Sequence, residues 1–277
     1  MSAPYIPHLS QLARTLAVLI SLLMAAGTVQ ASLSEWRSGH TATSKPAPRL
    51  FARKQLNNFN RFLDKSLRGD GKRVFQQVSN GVRRNINWRD DQGKNAYIEA
   101  FRQSYPFIKS VDLQGMPDII LLMPYLESQW NSQAGLREKD YGYWQIGRYV
   151  VEEIQTLDNT PDDIKVTHPD IIRSDPALST KAAQIHLRRY WYYFAKVANL
   201  PEADAWLFSI TAYNWGAGNV KRMIADMEAE GVAVNFSNFY HRLYATQQRN
   251  QGDKSMRAAV EYLPNLWNIA QLIVASS

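Results

Sequence analysis

The stretch 116-MPDIILLMPYLESQW-130 decides how this chain is read. Pro117 and Asp118 suit the start of a helix. Ile119 to Leu126 then run without a charge, which marks the segment as core. Glu127 follows directly. On a single helix over 117–130, its neighbours at i−7, i−4, i−3 and i+3 are Ile120, Met123, Pro124 and Trp130, all apolar. A carboxylate in that setting loses hydration in its charged form, so its pKa rises. A carboxylic acid still protonated near neutral pH is what general-acid cleavage of a glycosidic bond requires. The helix alone also suits a Glu paired with a buried Arg or Lys, or one at the solvent end of the helix.

Composition narrows the chemistry. The chain has 277 residues, 45% of them hydrophobic, enough for one or two domains with a real core. It has no cysteine, which excludes disulfides, thiol nucleophiles and cysteine-based zinc sites. The five histidines are scattered, with no i, i+4 pair of the helical metal-site kind, so no metal is expected.

Residues 1–31 read as an export signal. Arg14 supplies the positive charge, Leu16 to Ala26 the apolar run, and Val29-Gln30-Ala31 the small-residue cleavage site. The run falls short of the ~20 apolar residues that span a bilayer. Cleavage after Ala31 and a periplasmic location are therefore expected, with an uncleaved membrane anchor as the alternative.

The net charge of +7 is unevenly placed. Residues 49–89 hold eleven Lys or Arg against Asp64 and Asp70. Such a segment suits an anionic envelope polymer, anionic lipid or a protein partner, or is simply a solvated helix face.

Residues 38–50 read as a linker, and 50–67 show helical apolar spacing. Residues 32–92 thus form a linker and a basic helical N-terminal region, and a compact domain is expected over 93–277. Its helices are placed at 94–104, 117–130, 148–157, 179–198, 202–213, 217–230, 235–247 and 255–274. No β-alternation is convincing, so the fold class is mostly or entirely α. The basic aromatic run 187-LRRYWYYF-194 reads as a helix with an aromatic core face, and nucleic acid is not expected as a partner.

Motifs downstream of Glu127 carry more weight than the helix alone. Glu127-Ser128 is followed by Trp130, Asn131 and Ala134, then by Gly142-Tyr143-Trp144-Gln145. Further on come 212-AYNWGAGNV-220 and 262-YLP-264. This order resembles the lytic transglycosylases of the lysozyme-like superfamily, whose SLT domain cleaves peptidoglycan, and is most similar to the membrane-bound D type. The family's Glu-Ser helix end, Gly-Leu-Trp-Gln block, Ala-Tyr-Asn-x-Gly motif and Tyr-Val-Pro helix start all find counterparts, and the resemblance spans about 95 to 275. The chain departs from the family at Ile146-Gly147-Arg148, where Phe-Met-Pro is usual, and at 136-LREKDY-141, where the family loop is small and neutral.

The resemblance implies that Glu127 protonates the glycosidic oxygen between N-acetylmuramic acid and N-acetylglucosamine. Deprotonated, Glu127 then takes the proton of the sugar's C6 hydroxyl, which closes on C1 to give a 1,6-anhydro product. It also implies that no cofactor is required, and a substrate-side group of Ser128, Gly142, Gln145, Tyr213, Asn214 and Tyr262. Gly142 lets the backbone pass close to the sugar or to Glu127. Gln145 suits an N-acetyl amide. Tyr213 reaches Glu127 or the substrate, and Asn214 fixes the adjoining loop. For Gln145, Asn214 and Tyr262, support of the fold without substrate contact is equally consistent. Trp130 and Trp144 read as core, whereas Tyr141 and Tyr143 suit either sugar stacking or packing. Two other functions stay open. One is a water-using muramidase with Asp140 or Glu138 as second carboxylate. The other is a non-catalytic glycan-binding or scaffold protein.

Overall fold

The computed structural model describes residues 46–276, and the expected export signal lies outside them. Pro46–Ser277 cluster as one compact unit. Its class is all-α, with one two-residue hairpin. The helices of the basic segment belong to the same unit as those beyond Gly93, and the helical part of that segment begins at Pro46, inside the stretch read as linker.

Helix α1 (Pro46–Ser66) and helix α2 (Gly69–Ile86) bury stripes at helical spacing: Ala52, Phe59 and Leu63 on α1, and Val74, Val78, Val82 and Ile86 on α2. The intervening Lys and Arg stay exposed, so the basic charge is the outer face of two packed helices. Both helices lie on α12 (Lys254–Ser276). A buried pair ties α2 to α12: Asn268 Nδ2 donates to the Ser79 carbonyl at 2.8 Å, and Ser79 Oγ donates to Asn268 Oδ1 at 3.1 Å. Trp267 Nε1 donates to Asn60 Oδ1 of α1 at 2.8 Å.

Helix α3 (Ala96–Ile108) is capped by Asn95, whose side chain accepts from Tyr97 and Ile98 N–H. The expected helix over 117–130 forms in two pieces, a 3₁₀ turn at Asp118–Leu122 and α4 at Met123–Ser128. Pro124 explains the break. It has no N–H for the carbonyl of Ile120, so the α ladder restarts with proline in its first turn. Ile120 and Trp130 therefore do not share a helix with Glu127. Gln129 (φ 53°) and Trp130 (φ 60°) then take left-handed backbone, unusual for non-glycine residues. The Trp130 indole offsets that strain by packing against Tyr143, with ring centroids 4.7 Å apart, and against Phe107 at 5.7 Å.

Strands β1 (Asp140–Tyr141) and β2 (Ile146–Gly147) pair antiparallel around the 142–145 turn. Next come α5 (Arg148–Gln155), α6 (Asp162–Lys165), α7 (Pro169–Ser174) and α8 (Pro176–Tyr192), which runs on as a π turn at Tyr193–Val197. Helix α9 (Glu202–Trp215) is buried almost all round from Asp204 to Ala212. The Ser209 and Thr211 hydroxyls return to the carbonyls one turn back, at 2.6 and 2.9 Å, so neither hydroxyl is stranded. Helices α10 (Ala217–Ala229) and α11 (Phe236–Arg249) follow.

The Tyr-Leu-Pro motif lies inside α12 and does not start it. Pro264 cannot donate to the carbonyl of Val260, and Tyr240 Oη donates there instead, at 2.7 Å. The helix thus continues through its proline and carries Tyr262 to the site.

Candidate active site

Glu127 sits at the end of α4, half-buried, and lines a cavity of about 250 Å3 with Asp140, Gln145, Tyr213 and Asn214. Burial lifts its pKa from 4.5 to about 7. A hydrogen bond donated by Tyr262 Oη to Oε1 works against that rise, and the nearby Asp140 charge adds to it. Tyr262 is buried on α12, and burial beside Glu127 holds its hydroxyl protonated well above the usual range. Half of the Glu127 carboxyl is thereby oriented by a residue 135 positions away.

Ser128 does not line the cavity. Its Oγ donates to the Tyr143 carbonyl at 2.7 Å and accepts from Asn131 N–H at 3.2 Å, which pins the end of α4 to the 142–145 turn. Tyr213, delivered by the end of α9, grips the same turn by donating to the Trp144 carbonyl at 2.7 Å. It touches the cavity but makes no hydrogen bond to Glu127. Gln145 turns inward with φ 48°, and its Nε2 donates to the Ala134 and Gly142 carbonyls at 2.9 and 2.8 Å. Its donors are thus committed to backbone, which leaves its carbonyl oxygen as an acceptor.

Gly142 is required for a reason other than closeness to a sugar. Its φ is 80°, and a Cβ there would lie 1.9 Å from the Arg173 carbonyl oxygen. The backbone it must approach is that of α7. Asn214 is the exception to this wiring. Its Oδ1 is enclosed, has no hydrogen-bond partner and belongs to the cavity wall, so it is free to accept from a bound ligand.

The sequence reading missed Arg173. It is fully buried, and its guanidinium donates to the carbonyls of Lys139 at 2.7 Å, Arg137 at 2.5 Å and Ile146 at 3.3 Å while pairing with Asp170. It also stacks on Tyr141, 5.2 Å from the ring centroid. Arg173 therefore anchors the atypical 136–141 loop and with it Asp140. Its i, i+3 spacing from Asp170 was visible in the sequence, but its burial was not. Tyr141, held in this way, is core and not a sugar platform, whereas Tyr143 is half-buried against Trp130. Trp130 and Trp144 are core. Glu138 faces a different pocket and does not line the Glu127 cavity.

An acid whose pKa burial lifts to about 7, at the end of a short helix in an all-α scaffold, has the property that general-acid cleavage of a glycosidic bond requires. More particularly, residues 104–236 match the family model of the transglycosylase SLT domain. The match takes in Glu127, the 142–145 turn, Arg173, Tyr213 and Asn214, and Tyr262 lies beyond it. No curated protein matches the chain.

Proposed function

We propose that the chain is a peptidoglycan lytic transglycosylase of the membrane-bound D type, acting on the β-1,4 bond between N-acetylmuramic acid and N-acetylglucosamine. The observation that carries this reading is Glu127, an acid with a pKa of about 7 that Tyr262 orients toward a small polar cavity.

Protonated Glu127 gives its proton to the glycosidic oxygen as that bond breaks. The substrate's own N-acetyl group stabilises the electron-poor C1. The Glu127 carboxylate then removes the C6 hydroxyl proton, and O6 bonds to C1 to form the 1,6-anhydro ring. Attack within one molecule lets geometry replace a second catalytic carboxylate. Tyr262 suits both halves of the cycle, because its hydrogen bond steadies the carboxylate form. In this reading Gln145 Oε1 and Asn214 Oδ1 accept from the acetamido N–H groups. Export to the periplasm by residues 1–31 fits this substrate.

One observation favours a second reading. Asp140 lines the same cavity, so a hydrolase could use it to activate water. Digestion of purified peptidoglycan, read by mass spectrometry of the muropeptides, decides between them. Anhydro ends from wild type and none from Glu127→Gln support the transglycosylase. Reducing ends assign the hydrolase, and no products from wild type refute both.

A further inference from the structure

The cavity of about 960 Å3 at the starts of α2, α9 and α11 and the end of α1 shares no lining residue with the Glu127 cavity. Its volume suits a small molecule or short peptide. Two of the helix starts that line it, those of α2 (18 residues) and α9 (14 residues), carry no side-chain cap on their first N–H groups. Their dipole ends are already offset by acids in the first turn, Asp70 on α2 and Glu202 and Asp204 on α9, which line the same cavity.

Ser66 points to a ligand independently. It is 5% exposed, lines the cavity, and its Oγ has no hydrogen-bond partner. Such a hydroxyl is an unmet donor and acceptor that an incoming polar group would satisfy. Charges of both signs also line the cavity. Lys65 and Arg68 on one side of the sequence and Glu202 on the other make no ion pair or side-chain hydrogen bond among the described residues. Phe59, Phe62 and Trp206 add apolar wall. Unpaired cations, an unpaired acid, an unmet hydroxyl and aromatic surface together match a ligand with carboxylates, an amine and amide backbone.

We propose that this cavity binds a short zwitterionic peptide. Lys65 and Arg68 take its carboxylates, Glu202 its amine, and Ser66 one of its amide groups. The choice of peptide rests on the peptidoglycan reading, in which such peptides are the stems carried by the glycan, docked away from the point of cleavage.

The test titrates the purified chain with the free tetrapeptide stem by calorimetry, and separately scores anhydro-product release. Binding with Kd below about 1 mM is expected. Lys65→Glu with Arg68→Glu should weaken it at least tenfold, and Glu127→Gln should leave it unchanged. Ser66→Ala removes a group that holds nothing in the free protein, so it keeps the fold and should weaken binding severalfold. No binding by wild type, or equal binding by the charge-reversed and Ser66→Ala proteins, overturns the proposal. Peptide binding without cleavage products would sink the transglycosylase reading and leave the cavity assignment standing. Cleavage without peptide binding would do the reverse.

Discussion

Replacing Tyr262 with Phe removes one hydrogen bond and almost nothing else. The Tyr262 hydroxyl donates to Glu127 Oε1 and so favours the charged carboxylate. Burial pushes the other way and prevails, leaving the acid at about 7. A hydrogen bond to a charged group contributes about 1.5–3 kcal/mol, and one pKa unit corresponds to about 1.36 kcal/mol. Without the bond, the Glu127 pKa should climb by about one to two units. Because the protonated acid starts the reaction, the alkaline limb of activity should climb with it. Wild type should lose kcat/KM as pH rises through about 7, and Tyr262→Phe only through about 8 to 9.

The assay is release of soluble anhydro-muropeptides from purified peptidoglycan between pH 5 and 10, for both proteins, at fixed ionic strength. An upward move of the limb supports the argument. A limb that stays in place means the bond does not set the acidity of Glu127. A downward move means that Glu127 donates to Tyr262 in the resting enzyme, the reverse of the polarity used here. Either result refutes the reasoning even if the enzyme is a transglycosylase.

Asp140→Asn should move the same limb down, by less than Tyr262→Phe moves it up, because the Asp140 charge raises the Glu127 pKa and that aspartate is exposed; loss of turnover without a shift would make Asp140 a catalytic partner. Glu127→Gln should abolish cleavage yet stabilise the fold at alkaline pH. An acid whose folded pKa is about 7, against 4.5 ordinarily, costs stability as pH rises between those values and is neutral below them. Denaturation should therefore show the variant ahead by about 1–3 kcal/mol at pH 8 and level at pH 4. Gly142→Ala should lower stability by about 3 kcal/mol or more in urea titrations, since its methyl would overlap the Arg173 carbonyl and its φ is left-handed.

The helices were legible because their apolar spacing is regular, as in Val74, Val78, Val82 and Ile86. The break at Pro124 was not, since one unbroken helix was expected over 117–130, whereas the continuation through Pro264 was, in the helix expected over 255–274, although each proline lacks the same N–H. The outcomes differ because Val260 finds Tyr240 as a substitute donor, a tertiary contact no local pattern reveals. At the site, Glu127 was legible from its apolar neighbours, but for a partly mistaken reason. Trp130 and Ile120 do not flank it on one helix, and the cavity shared with Tyr213 and the contact with Tyr262 enclose it instead. Arg173 was illegible, because a buried arginine and an exposed one look alike in sequence.

The motif residues divide by what their polar atoms are doing. Ser128, Tyr213 and the donors of Gln145 are spent on the carbonyls of Tyr143, Trp144, Ala134 and Gly142. Those bonds fix a turn that no regular element would hold. The atoms left over, Gln145 Oε1 and Asn214 Oδ1, are acceptors, and Glu127 beside them is a donor when protonated. A cavity built from acceptors suits N–H donors of a ligand and would repel a second carboxylate. Asp140 enters it only because Arg173 grips the loop on either side, through the carbonyls of Lys139, Arg137 and Ile146. Here Asp140 acts on Glu127 through its charge, keeping the acid protonated where burial alone would do so less well.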